Sequence, residues 1–508
     1  MTIDEGVLEQ RSGLSSPEAQ RFLAGSPKRL LIGGNWVAAI SGSELDVYDP
    51  TSEKVIARVA AAGSDDVDRA VIAARDAFDH GPWPRMSPAA RGTVLRRFAD
   101  LIDAHREELS QLESLNNGMA LQTARPTVEA AAETVRYFAT SAEHIHGDTP
   151  QTDAASFHYT LRDPIGVCAA IIPWNSPITN FVWKVSPALA AGNVLLLKPA
   201  ETTPLTAVRL GELMIEAGLP AGVLSILVGF GDPAGAALAQ HPDVDKISFT
   251  GSTRTGKTIL HASEGNLKRV SLELGGKSPN IVFDDADLGA AVAASVTGFV
   301  SITGQVCLAG TRLFVQRGIH DRFVAAMVDA VSALRVGDPL DPATTVGPLA
   351  SKAQFDRVSS YLSLGKDEGA SAVIGGGVLD RAGYFVEPTV FVGVTNAMTI
   401  AREEIFGPVL SVIPFDDEAE AVALANDSPY GLAAAVWTND LRRAHHVSRG
   451  LRAGTVWVND YFKLDPTMPF GGYKQSGIGR EFGIDWYLSY TEAKSVFVTL
   501  GPPDGAAP

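Results

Sequence analysis

After Gly147 the chain becomes a series of short apolar runs, IGVCAAII, NVLLLK, VLSILV and KISFT, separated by stretches of helical pattern. Runs of this length that do not alternate apolar with polar residues fit strands covered on both faces. The segment from Thr203-Pro204 to Gly218 carries a helix start signal and a stop signal at its two ends. Parallel strands need a long crossover, usually a helix, so this alternation constrains the chain to an α/β fold with a doubly wound parallel sheet. Ligands of such sheets sit beyond the carboxyl ends of the strands, where the Lys198 and Thr250 regions fall. From Glu273 onward the alternation repeats with NIVF, RLFV, VLSVIPF and TVWVN, which predicts a second doubly wound α/β domain.

Upstream of the first run, residues 1–27 show no periodicity and are expected to form a loose N-terminal arm, with order starting near Leu30. Two helices are expected behind Ser64 and behind Ser87-Pro88. The first has Val67, Ala70, Val71, Ala74 and Phe78 on one face, and the second has Val94, Leu95, Phe98, Leu101 and Ile102. A closing strand, AKSVFVTL, has no partner nearby in sequence and is free to pair elsewhere, across a subunit boundary included.

The 42 basic and 58 acidic residues leave a net charge of −16, which argues against nucleic acid or an anionic membrane as partner, because both would be repelled. Cys168 and Cys307 are the only cysteines, so no disulfide framework is expected and a reducing compartment is implied. The acidic start MTIDEGVLEQ lacks the apolar centre of a signal peptide, and a cytoplasmic location is expected. The uncharged stretches Ile165–Trp183 and Leu288–Thr311 are broken by Pro and Asn or made of small residues, so both are read as buried segments lining a site. The ten histidines show no metal-ligand spacing, and no metal is expected.

Glu273 and Cys307 stand out, each in a Gly-rich segment, LELGGKSPN and ITGQVCLAGTR. A thiolate is a competent nucleophile, and a carboxylate held near the reacting carbon can activate water to hydrolyse an acyl-cysteine. Cys168, on an expected buried strand, is read as a small hydrophobe. A competing motif is GSTRTGKT at 251–258, which satisfies the phosphate-loop pattern after the KISFT strand. It leaves the Glu273 and Cys307 segments without a task, so a P-loop nucleotide-binding protein is the weaker alternative. What the loop supports more generally is diphosphate binding at a helix start.

PWNSP at 173–177, KPAETTP at 198–204, FTGSTRTG at 249–256, LELGGKSP at 272–279, GQVC at 304–307, EEIFGPV at 403–409 and PFGGYKQSGIGRE at 469–481 together resemble the aldehyde dehydrogenase superfamily, in its order and over about residues 28–500. The resemblance implies a dinucleotide-binding domain at 28–147 and 164–272, a catalytic domain at 273–480, and a small β extension for oligomerisation at 148–163 and 488–501. It implies that Cys307 attacks the aldehyde, that Asn175 and the backbone N–H of Cys307 hold the oxyanion, and that Glu273 activates water. Lys184 and Glu481 match a proton exit route. Lys198 and Glu201 resemble the grip on the adenosine ribose, and Glu404 with Phe406 the grip on the nicotinamide half. Ile172, Pro173, Trp174, Phe249, Gly251, Ser252, Gly256 and Leu274 match strand-end and diphosphate contacts, while Gly231 and Gly235 would flank the adenine. A carboxylate at Glu201 would repel a 2′-phosphate, so NAD is favoured over NADP.

The entry tunnel implied by the resemblance is lined by Ser176, Asn180, Trp183, Ser301, Val306, Leu308, Phe462, Leu464 and Phe470. Ile302 stands where many relatives carry Asn, and Arg254, often acidic in relatives, is expected to point to solvent. Small Ser176 and Ser301 among apolar neighbours suggest a medium-sized apolar or aromatic aldehyde. A homodimer or homotetramer is the expected assembly. The rival readings are a CoA-acylating dehydrogenase, whose members generally lack the glutamate at the Glu273 position, and a non-catalytic relative, for which loss of the Cys307 thiol would be the expected mark.

Overall fold

The computed structural model describes residues 13–501. Two sheets organise them, and the sequence of their strands explains where a site can form. The first sheet has eight strands in the spatial order Gly477–Ile478, Arg269–Glu273, Lys246–Thr250, Val167–Ile171, Val194–Lys198, Leu224–Ile226, Leu30–Ile32 and Asn35–Val37. Its five inner strands run parallel, and the edge strands pair antiparallel. From Val167–Ile171 the chain winds to one side and then returns to build Lys246–Thr250 and Arg269–Glu273 on the other. That reversal opens a crevice at the carboxyl ends. Register brings the strand ends level: Ile171 lies beside Lys198 and Phe249, and Glu273 beside Thr250.

The second sheet has seven strands in the order Ser371–Ile374, Thr389–Val392, Val409–Phe415, Arg312–Gln316, Pro279–Val282, Ala433–Trp437 and Thr455–Val458, all parallel except the first pair. The two expected doubly wound sheets are both present. The inner strands are buried throughout, as VCAAI, VLLLK and AAAVW show, because helices cover both faces. The helices expected behind Ser64 and Ser87 run over Ser64–Asp79 and Pro88–Ala104, and Ser87 caps the second by accepting from the Ala90 N–H. Among the described residues no helix is long and apolar enough to cross a membrane.

Two expectations need correction. The arm expected at 1–27 is not loose where it is described: Pro17–Ala24 is a helix, capped by the Ser16 hydroxyl and buried through Phe22 and Leu23. Order therefore starts well before Leu30, for the ordinary reason that a Ser-Pro-Glu start with two large apolar residues on one face makes a short docked helix. Residues 1–12 lie outside the described residues. Glu273 does not open the second unit; it ends a strand of the first sheet, and Gly477–Ile478 pairs back onto Leu272 and Glu273. As for the closing strand, Thr491–Thr499 finds its partner far back along the same chain, antiparallel to Ser156–Pro164, with Thr491 opposite Pro164. The two form a separate ribbon that leaves Phe157, Leu161, Phe497 and Leu500 exposed.

Candidate active site

A cavity of about 750 Å³ lies at the carboxyl ends of the first sheet and is closed on its other side by loops of the second unit. Of the residues singled out for chemistry, Asn175, Glu273, Cys307 and Glu481 line it. Lys184 does not, but its ammonium pairs with the Glu481 carboxylate and both side chains are buried. All nine residues of the expected tunnel, Ser176, Asn180, Trp183, Ser301, Val306, Leu308, Phe462, Leu464 and Phe470, line the same cavity. Ring pairs shape its wall: the Trp183 ring meets Phe470 at 5.2 Å and Phe482 at 4.6 Å, both edge-on.

The expected cofactor residues divide. Pro173, Trp174, Gly251, Ser252, Leu274, Glu404 and Phe406 line the cavity; Ile172, Lys198, Glu201, Gly231, Gly235, Phe249 and Gly256 are not among its walls. Gly256 and Gly251 have packing reasons to lack a side chain, since a Cβ there would come within 2.6 Å of Leu274 and 2.5 Å of the Phe249 ring. Lys198 is buried, donates to the Gly229 and Pro199 carbonyls, and sits 3.6 Å from the half-exposed Glu201 carboxylate. Lys257, the lysine a phosphate loop would need, is exposed and donates to Gln475, so the P-loop alternative has no cation over its loop. Arg254, expected in solvent, is exposed but stands at the cavity rim.

The loop that carries Cys307 is stiff. Ile302, Thr303 and Gly304 are successive left-handed residues, with φ of 49°, 56° and 72°, a conformation that costs roughly 1–2 kcal/mol for each residue with a side chain. Surrounding bonds hold it: the Thr303 hydroxyl donates to the Gly347 carbonyl, and Gln305 bridges the Ile302 carbonyl and the Ala350 N–H. Gly276 allows the close approach of the Cys307 carbonyl, which a Cβ would meet at 2.3 Å. The Asn175 side chain donates to the Gln305 carbonyl at 2.8 Å, which ties the amide to the same loop and leaves its second N–H for a ligand.

Burial pushes the Cys307 thiol up to about 12; the Glu404 and Glu273 carboxylates push the same way, and the backbone N–H groups of Cys307 and Leu308 oppose them. Burial also raises the Glu273 carboxyl well above its usual range, aided by Glu481 and opposed by Lys184 and Arg480. Burial thus disfavours the charged form of both groups, and a positive charge brought into the site would favour the thiolate and the carboxylate. Cys168, on the inner strand Val167–Ile171, is pushed up to about 12 by burial as well and is not among the residues lining this cavity. Among the described residues no cluster could hold a metal ion.

Other wall residues escaped the sequence reading. Gln354 and Arg357, from the helix Lys352–Asp367, donate to the Phe406 and Glu404 carbonyls at 2.6 Å each and so fix a loop in which Phe406 takes a positive φ of 62°. Glu404 in turn accepts from the Gly276 N–H at 3.0 Å, and burial lifts its carboxyl to about 7. Thr127 and Thr179 add hydroxyls to the tunnel wall. No local pattern marks any of the four.

The sequence pattern of the aldehyde dehydrogenase family matches residues 36–496. The chain belongs to the aldehyde dehydrogenase family. It is 47% identical over 476 residues to an aldehyde dehydrogenase of Emericella nidulans (94% of this chain, 96% of that one), and 47% identical over 504 residues to the mitochondrial aldehyde dehydrogenase family 2 member B4 of Arabidopsis thaliana (98% and 94%). Among solved structures it is similar to the NAD+ complex of an aldehyde dehydrogenase from Bacillus cereus, with 46% identity, a TM-score of 0.94 and coverage of 96% and 99%. It is also similar to a betaine aldehyde dehydrogenase of Staphylococcus aureus solved with NAD+, with 38% identity, a TM-score of 0.93 and coverage of 97% and 99%. Aldehyde oxidation is thus the activity of the family to which this cavity belongs.

Proposed function

We propose that the protein oxidises a medium-sized apolar or aromatic aldehyde to its carboxylic acid with NAD, through a thioester on Cys307 and water activated by Glu273. The observation that carries this reading is the convergence of Cys307, Asn175 and Glu273 on one cavity at the switch point of the first sheet. The crevice also suits a dinucleotide. The Trp174 and Phe406 rings, 5.3 Å apart edge to face, and the Glu404 carboxylate would hold the nicotinamide half. The first turn of the helix Thr253–Ala262 would receive the diphosphate, Lys198 with Glu201 the adenosine ribose, and the open space beside Gly231 the adenine.

Bound NAD supplies a hydride acceptor and a positive charge. The chain's own residues would do the rest. The Cys307 thiolate adds to the aldehyde carbon; the oxygen that becomes negative is held by the free N–H of the Asn175 amide and by the Cys307 N–H. Such donors are worth roughly 3–4 kcal/mol each where charge develops. Loss of hydride from that carbon leaves a thioester. Glu273 takes a proton from water as it adds, and collapse of the resulting tetrahedral carbon expels the Cys307 thiolate and releases the acid. The proton would leave through the buried Glu481–Lys184 pair. A glutamate at this position favours hydrolysis over transfer to CoA.

The tunnel wall supports the substrate class, with Ser176 and Ser301 leaving room among Trp183, Phe462, Leu464 and Phe470. We place the enzyme in the cytoplasm on its two unpaired cysteines, and assign the Ser156–Pro164 and Thr491–Thr499 ribbon, with its exposed Phe157 and Phe497, to assembly as a homodimer or homotetramer. NADH formation over acetaldehyde, hexanal, benzaldehyde and betaine aldehyde, with NAD and NADP in parallel, tests the reading. Higher kcat/KM with hexanal or benzaldehyde and NAD is expected. Three aromatic rings would also suit a quaternary ammonium, so a clear preference for betaine aldehyde would overturn the substrate class.

A further inference from the structure

The loop between the strand Val167–Ile171 and the helix Pro177–Ala190 presents Asn175, yet the bonds that hold its backbone come from elsewhere. The Trp174 carbonyl accepts from the Thr203 hydroxyl at 3.1 Å. The Asn175 carbonyl accepts from the Asn117 side-chain amide at 3.1 Å, and the Ile178 N–H, a free donor of the helix's first turn, reaches the Glu113 carboxyl at 3.2 Å. Glu113 and Asn117 lie one turn apart on the helix Arg106–Asn117, and both are fully buried. Between them Asn116 donates to the Thr202 carbonyl at 3.1 Å and accepts from the Leu205 N–H at 3.2 Å, so the same helix end also fixes the loop that follows Lys198. Asn117 is itself locked, because its carbonyl oxygen accepts from the Met119 N–H at 2.7 Å.

We infer that Asn117, backed by Glu113, is a positioning residue for the Asn175 amide: it holds the backbone of that loop so that the side-chain N–H points at the developing oxyanion beside Cys307. This rests on the oxyanion role given to Asn175 above. An amide donor works only within a few tenths of an ångström of its target, and displacements of about 1 Å can cost a hundredfold in rate. The Asn175 side chain has one anchor of its own, the Gln305 carbonyl, which belongs to the nucleophile loop and fixes the amide tip but not the backbone behind it. Asn117 supplies that second point. The plainer role for these buried groups is satisfaction of backbone donors and acceptors, and kinetics separate the two.

The test is a double-mutant cycle on the full enzyme, read as the single-turnover rate of NADH formation, with KM for NAD measured beside it. Asn175→Ala should slow the step by roughly a hundredfold, and Asn117→Ala by roughly tenfold with KM for NAD within about twofold of wild type. In the Asn175→Ala background, Asn117→Ala should then change the rate by less than about twofold, since its effect passes through the missing amide. Asn117→Asp keeps the size and the bond from Met119 but loses the donor to the Asn175 carbonyl; it should be as slow as the alanine variant and replaces it if that variant does not fold. Equal losses in both backgrounds, or an Asn117→Asp enzyme as fast as wild type, would overturn the inference. If Asn175→Ala is itself as fast as wild type, the oxyanion assignment fails first and this inference falls with it.

Discussion

Glu273→Gln separates the two halves of the proposed reaction. Glutamine keeps the shape of a buried side chain whose Oε2 has no hydrogen-bond partner and whose Oε1 lies against Gly471, where a Cβ would come within 2.9 Å, so packing should be little changed. What is lost is the ability to take a proton from water. Removing a general base commonly costs a factor of about 10²–10⁴, or roughly 3–5 kcal/mol of barrier. Attack by Cys307 and hydride loss do not need that base. The Glu273 carboxylate is one of the charges that raise the Cys307 thiol, so the first half should not slow on electrostatic grounds. Stopped-flow measurement should show a burst of about one NADH per site followed by a steady rate lower by the factor above, and hydroxylamine, a nucleophile that needs no base, should restore turnover by cleaving the thioester. An absent burst, or a steady rate within about tenfold of wild type, would refute the role given to this carboxylate. Wild-type deacylation has a matching pH signature. Glu273 is raised above its usual range and acts only when ionised, so the rate should climb with pH through its pKa and level above it. The glutamine variant should lose that limb.

Lys184→Met and Glu481→Gln should move this limb in opposite directions, to higher and lower pH respectively, because Lys184 lowers and Glu481 raises the Glu273 carboxyl; pH–rate profiles of steady turnover measure both, and shifts of the same sign would count against a shared electrostatic network. Glu113→Gln should stabilise the protein at pH 8 but not near pH 4.5. Burial raises the Glu113 carboxyl from 4.5 to about 7. The folded state therefore keeps a proton that the unfolded chain loses, and stability falls as pH rises through that window, by about 3 kcal/mol in all. Thermal midpoints of variant and wild type at the two pH values check this, and an equal difference at both would be evidence against it. Glu201→Gln should narrow the preference for NAD over NADP by about tenfold or more, since it removes a charge that would repel a 2′-phosphate; an unchanged ratio of kcat/KM values would place cofactor choice elsewhere.

The strands that were legible in the sequence are those whose side chains announce double burial. VCAAI, VLLLK and KISFT are apolar and bounded by turn signals. The strand Ala433–Trp437 is just as buried and central in the second sheet, yet three successive alanines have little strand preference, and only the neighbours at Pro279–Val282 and Thr455–Val458 make it one. The place of Arg269–Glu273 was hidden for a related reason. Its membership of the first sheet rests on pairing with Lys246–Thr250 on one side and with Gly477–Ile478, some two hundred residues later, on the other.

The same distinction runs through the site. Cys307 and Glu273 could be picked out because each must be a particular chemical type and is set among glycines that let backbone approach closely, as Gly276 lets the Cys307 carbonyl, whereas Asn175, in PWNSP, was reached only through the family resemblance. Asn116 and Asn117 precede Gly118, whose φ of 85° ends the helix, and locally they look like turn residues of no further consequence. Their carboxamides instead satisfy backbone groups of two loops that lie far along the chain, at Asn175 and at Thr202 and Leu205. A donor aimed at a distant carbonyl leaves no periodicity and no motif, because what specifies it is the direction in which a loop's backbone points. Residues that do chemistry are therefore visible one at a time, whereas residues that aim them become visible only when the partner loops are in place, and the Asn117 double-mutant cycle measures how much of the reaction depends on that aim.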